Sequence, residues 1–442
     1  MATTNKTDAN WEKLFDKYKI DQEVNKNGFF EITATQINEF REARLMTKFD
    51  HKSNLPELFK KNKLSILPKT RGSYIIGQFD AYKDIKYTKP PIKKLSLPAH
   101  IKSIDPNNIY SEATALSSAL CAGMIDDIVG EQVLPTVFGR MSTSAFQFDI
   151  RCAGNQSFSI DIKNAQCEID GGYESLNKFA IVEAKNFTSS DFLIRQVYFP
   201  YRLWKNKLPN KDIMPIFMTY SNDVYSFFIY KFQNDNEYNS LQLVEQRDYM
   251  IGTDVITAND IWQILNSVAI VKEPEVPFPQ CNSFERIIDL LGLLYENELA
   301  KDYITSSYDF DPRQTDYYTN GGKYLGLIEK DKGEDGIYFT ITKRARAIMS
   351  LPHKEKSLEL VRCMLEHEVF NKCIRLYFSK VEQRGFTSLM LKDEYRQNVL
   401  TKDDIINIMK QCYLYNVNSE DTIERRASTV LRWCNWVIGL IE

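Results

Sequence analysis

Residues 168–196 read EIDGGYESLNKFAIVEAKNFTSSDFLIRQ, and this stretch decides the fold. Phe179-Ala180-Ile181-Val182 is an unbroken apolar run, as expected of a strand buried on both faces. It delivers Glu183-Ala184-Lys185. Side chains alternate along a strand, so Glu183 and Lys185 share a face. Twelve residues separate Asp170 from Glu183. A charged pair at the end of a buried strand costs free energy unless it is paired or liganded. One reading is a structural ion pair. The other is chemistry: hard divalent cations prefer carboxylate oxygen. Asp170 and Glu183 would supply two carboxylates and the Ala184 carbonyl a third oxygen. Lys185 would orient or deprotonate a water and stabilise charge on a phosphate. Glu-x-Lys alone is weak evidence, since about one arises by chance in a chain of this size.

The acid, the gap and the apolar strand ending in EAK resemble the PD-(D/E)xK nucleases. Ile169-Asp170 stands where that motif usually has Pro-Asp, a mild departure. The resemblance implies a Glu from an upstream helix, for which Glu112 in SEATALSSAL is the candidate. It also implies a Gln from the following helix, which fits Gln196, with Arg195 beside it as a phosphate contact. The plainer readings are a dipole-favoured acid at a helix start for Glu112 and a core-edge amide for Gln196. Joined to the patterns below, the whole resembles a type II restriction endonuclease with winged-helix DNA-recognition domains. It is strongest over about 105–235. The resemblance implies Mg2+ as cofactor, double-stranded DNA with a short specific sequence as substrate, and a cognate DNA methyltransferase by association. A homodimer is expected, because one site per chain must cut both strands of a palindrome. The rivals are a repair, junction-resolving or transposition nuclease of the same core, and a non-catalytic sequence-specific DNA-binding regulator.

Outward from this stretch the expected class is α/β (α+β), a mixed-sheet nuclease core with additional mainly α winged-helix domains. Residues 1–95 form a basic α+β module. Thr33 to Phe49 has helical spacing, with Arg41, Arg44 and Lys48 on one side. LSIL and SYIIGQF read as strands around a turn carrying Arg71. From residue 41 to 94 there are fourteen Lys/Arg against five Asp/Glu, the footprint of a DNA-facing surface or of a plain solvated face. Residues 96–275 form the core, with a helix expected from Glu112 to about Val129 capped by Ser111. Strands follow around 145–151, 158–162, 167–169 and 179–182, then a helix over 190–204 and strands at 214–219 and 224–230. Asp191 lies near that helix start. Residues 281–350 read helix, helix, two strands, the winged-helix order. Asp311 would cap the second helix, and Arg313, Gln314, Tyr317 and Tyr318 would lie near its start, facing DNA. Residues 355–442 are helical, ending in a second, more degenerate winged-helix pattern with Arg425 and Arg426 as DNA contacts.

Bulk properties exclude several classes. The chain has 442 residues, 43% hydrophobic and 26% charged, with net charge −3. That is an ordinary globular composition, too long for one core. No apolar run of about eighteen residues occurs, so no membrane partner is expected. The polar start carries no secretory pattern. Eight scattered cysteines without a CxxC pair, and four histidines, argue against zinc and for reduced thiols in a cytoplasmic protein. There is no GxSxG and no GxxxxGK[ST].

Overall fold

The computed structural model describes residues 6–88, 90–109, 111–152, 154, 156–252, 255–307, 312–333, 336–383 and 399–441. Its first strands are β1 (Phe29–Thr33), β2 (Ser65–Thr70), β3 (Ser73–Gly77), β4 (Tyr82–Asp84) and β5 (Ile92–Leu95). Next come β6 (Leu134–Ser142), β7 (Phe146–Arg151), β8 (Ser157–Ile162), β9 (Gln166–Glu174), β10 (Lys178–Lys185) and β11 (Asp191–Leu193). Then follow β12 (Asp212–Ser221), β13 (Val224–Phe232), β14 (Leu241–Ile251), β15 (Leu299–Ala300), β16 (Ile328–Gly333) and β17 (Gly336–Ile341).

Strand β10 organises the molecule. It lies inside a seven-stranded sheet of order β5-β14-β13-β12-β10-β9-β6. It runs parallel to β12 and antiparallel to β9, so the sheet is mixed and the class is mixed α/β. Its odd residues, Phe179 and Ile181, enter one core with Val197 and Phe199 of the Arg195–Lys207 helix and with Ile32 and Ile76 of the N-terminal residues. Its even residues, Ala180, Val182 and Ala184, enter another with Ala115 and Ala119 of the Glu112–Cys121 helix. Burying each larger apolar side chain contributes about 1.5–3 kcal/mol, which favours this run at the centre of the sheet.

Several expected elements are cut differently. The helix over 112–129 breaks at Gly123, whose φ of 78° suits glycine, into Glu112–Cys121 and Met124–Val129. Ser111 does cap it, accepting from the Thr114 N–H at 3.0 Å. Thr33–Phe49 is not one helix but two short turns, Ala34–Asn38 and Ala43–Thr47. The Asn38 carboxamide accepts from the Ala43 N–H at 2.7 Å and starts the second turn. Asp191 does not open a helix: it sits in β11, which pairs with β4, and the helix begins at Arg195.

Residues 281–350 and 355–442, expected as two units, share one apolar core reaching from Ile256 to Ile441. The first part runs helix Glu285–Glu296, β15, helix Lys301–Ser307, helix Pro312–Tyr324, β16, β17, with sheet order β15-β17-β16. The expected Asp311 cap lies outside the described residues. The second part is helical: His353–Leu365, Glu368–Gln383, Lys402–Met409 and Glu420–Gly439. Among the described residues it has no strand pair to serve as a wing. Gly321 lets the Pro312–Tyr324 helix close on this part, since a Cβ there would meet Cys281 Sγ at 2.7 Å and Trp433 at 3.6 Å. Among the described residues no helix is long and apolar enough to cross a membrane.

Candidate active site

The site forms where β9 and β10 part. Their ladder pairs Ile181 with Gly172 and Val182 with Gly171, then stops. One step further would set Glu183 against Asp170. Instead the Ala184 N–H donates to Asp170 Oδ2 at 2.9 Å, so a carboxylate replaces the next strand partner. Glu183 and Lys185, both odd, lie on the side of the Arg195–Lys207 helix. The Gln196 amide from the first turn of that helix donates to Glu183 Oε1. Lys185 Nζ donates to Glu183 Oε1 at 2.7 Å and to the Ala184 carbonyl at 3.0 Å. Glu112 reaches in from the helix on the opposite face, with Oε1 3.8 Å from Lys185 Nζ. Sequence reasoning named all five residues, and the fold brings them together.

Burial sets the electrostatics. Glu183 and Lys185 are only 7% and 9% exposed. Burial pushes the Glu183 carboxyl up to about 8; Asp170 and Asp50 add to the rise and Lys185 opposes it. Burial also raises Glu112, against Lys185. Burial works to lower the Lys185 ammonium, but Glu183, Glu112, Asp170 and Asp50 together hold it well above its ordinary value. The two partners pull in different directions on the question of which is charged. Several acids surround the Lys185 ammonium and favour its charged form. The carboxyls are raised first by burial, with the neighbouring acids adding to it.

A hard cation would offset the cost of ionising buried carboxyls. Asp170, Glu183 and the Ala184 carbonyl are the right donor types, and Mg2+ keeps several waters, so two carboxylates suffice. Gln196 Oε1 is a buried acceptor without a hydrogen-bond partner, as is Asn186 Oδ1 just past Lys185. Such atoms suit ordered water. Among the described residues no three His, Cys, Asp or Glu side chains already stand at metal-ligand geometry.

The sequence marks the N-terminal residues as a basic, DNA-facing unit with Lys48 on its cationic side, but not that Lys48 and Asp50 come to this cluster. Asp50 and Lys48 act on this cluster although more than a hundred positions separate them from Glu183. No local signal could have placed them here. His51, Ser189 and Asp191 also meet, but Ser189 Oγ and the Asp191 carbonyl share one ring nitrogen, Nδ1, at 3.0 and 2.6 Å. Ser189 is 1% exposed, so this is a docking contact and not a nucleophile.

The expected DNA contacts are spread out. Arg195 Nη1 donates to the Gln166 carbonyl at 3.4 Å, and its guanidinium lies over the Phe199 ring. Arg41 donates to Thr7 Oγ1 at 2.8 Å. Arg44 is exposed, 3.7 Å from Glu42, and Arg71 is exposed in the turn between β2 and β3. Arg313 is exposed and Gln314 partly so. Tyr318 corrects the expectation: it is 7% exposed and belongs to the core, leaving little surface to offer a base, and Tyr317 packs partly against that core. Arg425 is exposed. Burial lowers Arg426, followed by Arg425, while Tyr317 opposes, so these three side chains are neighbours.

Three family models match successive parts of the chain, each described as a domain of unknown function: DUF6996 over residues 8–76, DUF6997 over 77–250 and DUF7226 over 286–442. The second contains the whole candidate site except the N-terminal contribution. The third covers most of the shared C-terminal core, which also takes in residues before 286 such as Ile256, Ile261 and Phe278. No curated protein and no solved structure matches the chain.

Proposed function

We propose that this chain is a divalent-metal-dependent DNA endonuclease of the PD-(D/E)xK kind, acting as a type II restriction endonuclease on double-stranded DNA. The observation that carries the reading is the parting of β9 and β10, where Asp170 takes the Ala184 N–H while Glu183 and Lys185 pair beside it. Asp170, Glu183 and the Ala184 carbonyl would hold Mg2+, with Glu112 assisting. Bound there, Mg2+ would neutralise phosphate charge and favour hydroxide over water. Lys185, its ammonium held by the surrounding acids, would orient the water and stabilise charge on the phosphate. Gln196 fixes the Glu183 carboxylate through its amide and leaves Oε1 to orient a water.

The order helix, strand, helix, helix, strand, strand over residues 285–341 supports a winged-helix reading of the C-terminal part. Arg313 and Gln314 of the Pro312–Tyr324 helix would then read bases, with Arg425 and Arg426 adding to the same surface. One site per chain and two strands to cut favour a homodimer. The free state of all eight cysteines is in keeping with a cytoplasmic location.

Digestion of a known plasmid with Mg2+ and sequencing of the product ends tests the reading. Fixed ends at one short sequence are expected. Selective cutting of branched DNA would instead favour a junction-resolving nuclease. Tight sequence-specific binding without cutting in Mg2+, Mn2+ or Co2+ would make the chain a regulator.

A further inference from the structure

The segment Met46–Lys52 is held by Trp11 and by the two-stranded pair of β4 and β11. Trp11 Nε1 donates to the Met46 carbonyl at 3.0 Å. Tyr82 Oη donates to the Phe49 carbonyl at 2.8 Å, and the Leu193 N–H to the Asp50 carbonyl at 2.9 Å. His51 Nδ1 lies 2.6 Å from the Asp191 carbonyl, and the Lys52 N–H donates to Asp191 Oδ1 at 3.2 Å. Asp191 and Leu193 belong to β11, immediately before the helix that carries Gln196. The segment is therefore fixed relative to the candidate site.

Lys48 is the exception within it. Its side chain is 68% exposed, and its Nζ stands 3.6 Å from the carboxylate of Asp50, which is 15% exposed. That distance is long for a charge-assisted hydrogen bond, which leaves the exposed ammonium able to take a second anion beside Asp50. Leu193, which bonds the segment at Asp50, lies three residues before Gln196, whose amide holds Glu183. An exposed cation on a rigid segment beside an acid cluster has the placement of a phosphate-holding group.

We infer that Lys48 is a DNA-phosphate contact of the candidate site, carried to it by the N-terminal residues. The assignment rests on the nuclease reading and deepens it: the substrate would lie between the end of β10 and the Met46–Lys52 segment. Lys48 acts on the substrate backbone and carries no sequence information.

The test uses the full chain and its Lys48→Gln and Lys48→Arg variants. Binding of a short mixed-sequence DNA duplex without divalent metal is followed by fluorescence anisotropy over a range of salt. Removing one phosphate-neutralising cation lowers the log–log salt slope by about 0.9. Lys48→Gln should show that smaller slope, Lys48→Arg should keep the wild-type slope, and all three should melt together. Wild-type binding with an unchanged Lys48→Gln slope would overturn the role of Lys48 alone. A wild-type chain that binds no DNA would overturn both this role and the nuclease reading.

Discussion

At the scale of the residue, burial and the cations that oppose it together decide which carboxyls are ionised. Asp289 on the Glu285–Glu296 helix accepts from Ser221 Oγ at 2.9 Å, and burial pushes its carboxyl up to about 8. The folded state therefore keeps a proton that the unfolded chain gives up in the ordinary carboxylate range. The stability linked to it is fully present below that range and is lost as pH rises through about 8. Asp289→Asn removes the titration while keeping the shape. Its melting temperature relative to wild type should climb steadily from acidic pH to about 8 and then level off. Parallel melting curves over that range would contradict the assignment. Glu183 is raised by the same cause and with the same sign.

At the scale of the element, the site depends on how closely three strands approach. A Cβ on Gly172 would meet the Val137 carbonyl oxygen at 2.9 Å and Phe179 at 3.1 Å. One neighbour is backbone of β6, which cannot swing away. Gly172→Ala should cost about 1–3 kcal/mol in chemical denaturation, as overpacking generally does. It should also lower any cleavage, since Asp170 lies two residues away. Wild-type stability would show that β6 yields. The same region shows what the sequence could reveal. β10 is legible because its apolar run and its Glu-x-Lys are local signals. β6 is not: LPTVFGRMS contains Pro135 and Gly139, and Leu134 and Phe138 are exposed. An edge strand tolerates these departures, and no alternation survives to mark it. Tyr318 departs from expectation because a helix start suggests exposure, whereas contacts far along the chain bury it.

At the scale of the whole molecule, the three matched regions are joined by particular contacts. The turn between β12 and β13 places Asn222 and Asp223 at φ 51° and 62°, as a type I′ turn requires. Asp223 is pinned by Lys356 Nζ at 2.8 Å and by His353 Nδ1 at 2.6 Å, both from the C-terminal part. Lys356 is 3% exposed and Asp223 is 8% exposed. Lys356→Met would strand a buried carboxylate and should destabilise the chain by about 3–5 kcal/mol in equilibrium unfolding. Adding Asp223→Asn should restore part of that stability. An additive double variant would show that the pair does not couple. None of these joints is legible in the sequence, because each links residues far apart along the chain. The local motif could therefore name Asp170, Glu183, Lys185, Glu112 and Gln196, while the place of Lys48 and Asp50 beside them is not legible.

If Asp170 and Lys185 cut DNA with the help of a divalent cation, the direct measurement is the rate of plasmid cleavage with Mg2+. Wild type, Asp170→Ala and Lys185→Ala are compared, with folding checked by melting temperature. Wild type should cleave at fixed positions, and neither folded variant should cleave above background. Cleavage by both variants at the wild-type rate would contradict the metal-dependent mechanism.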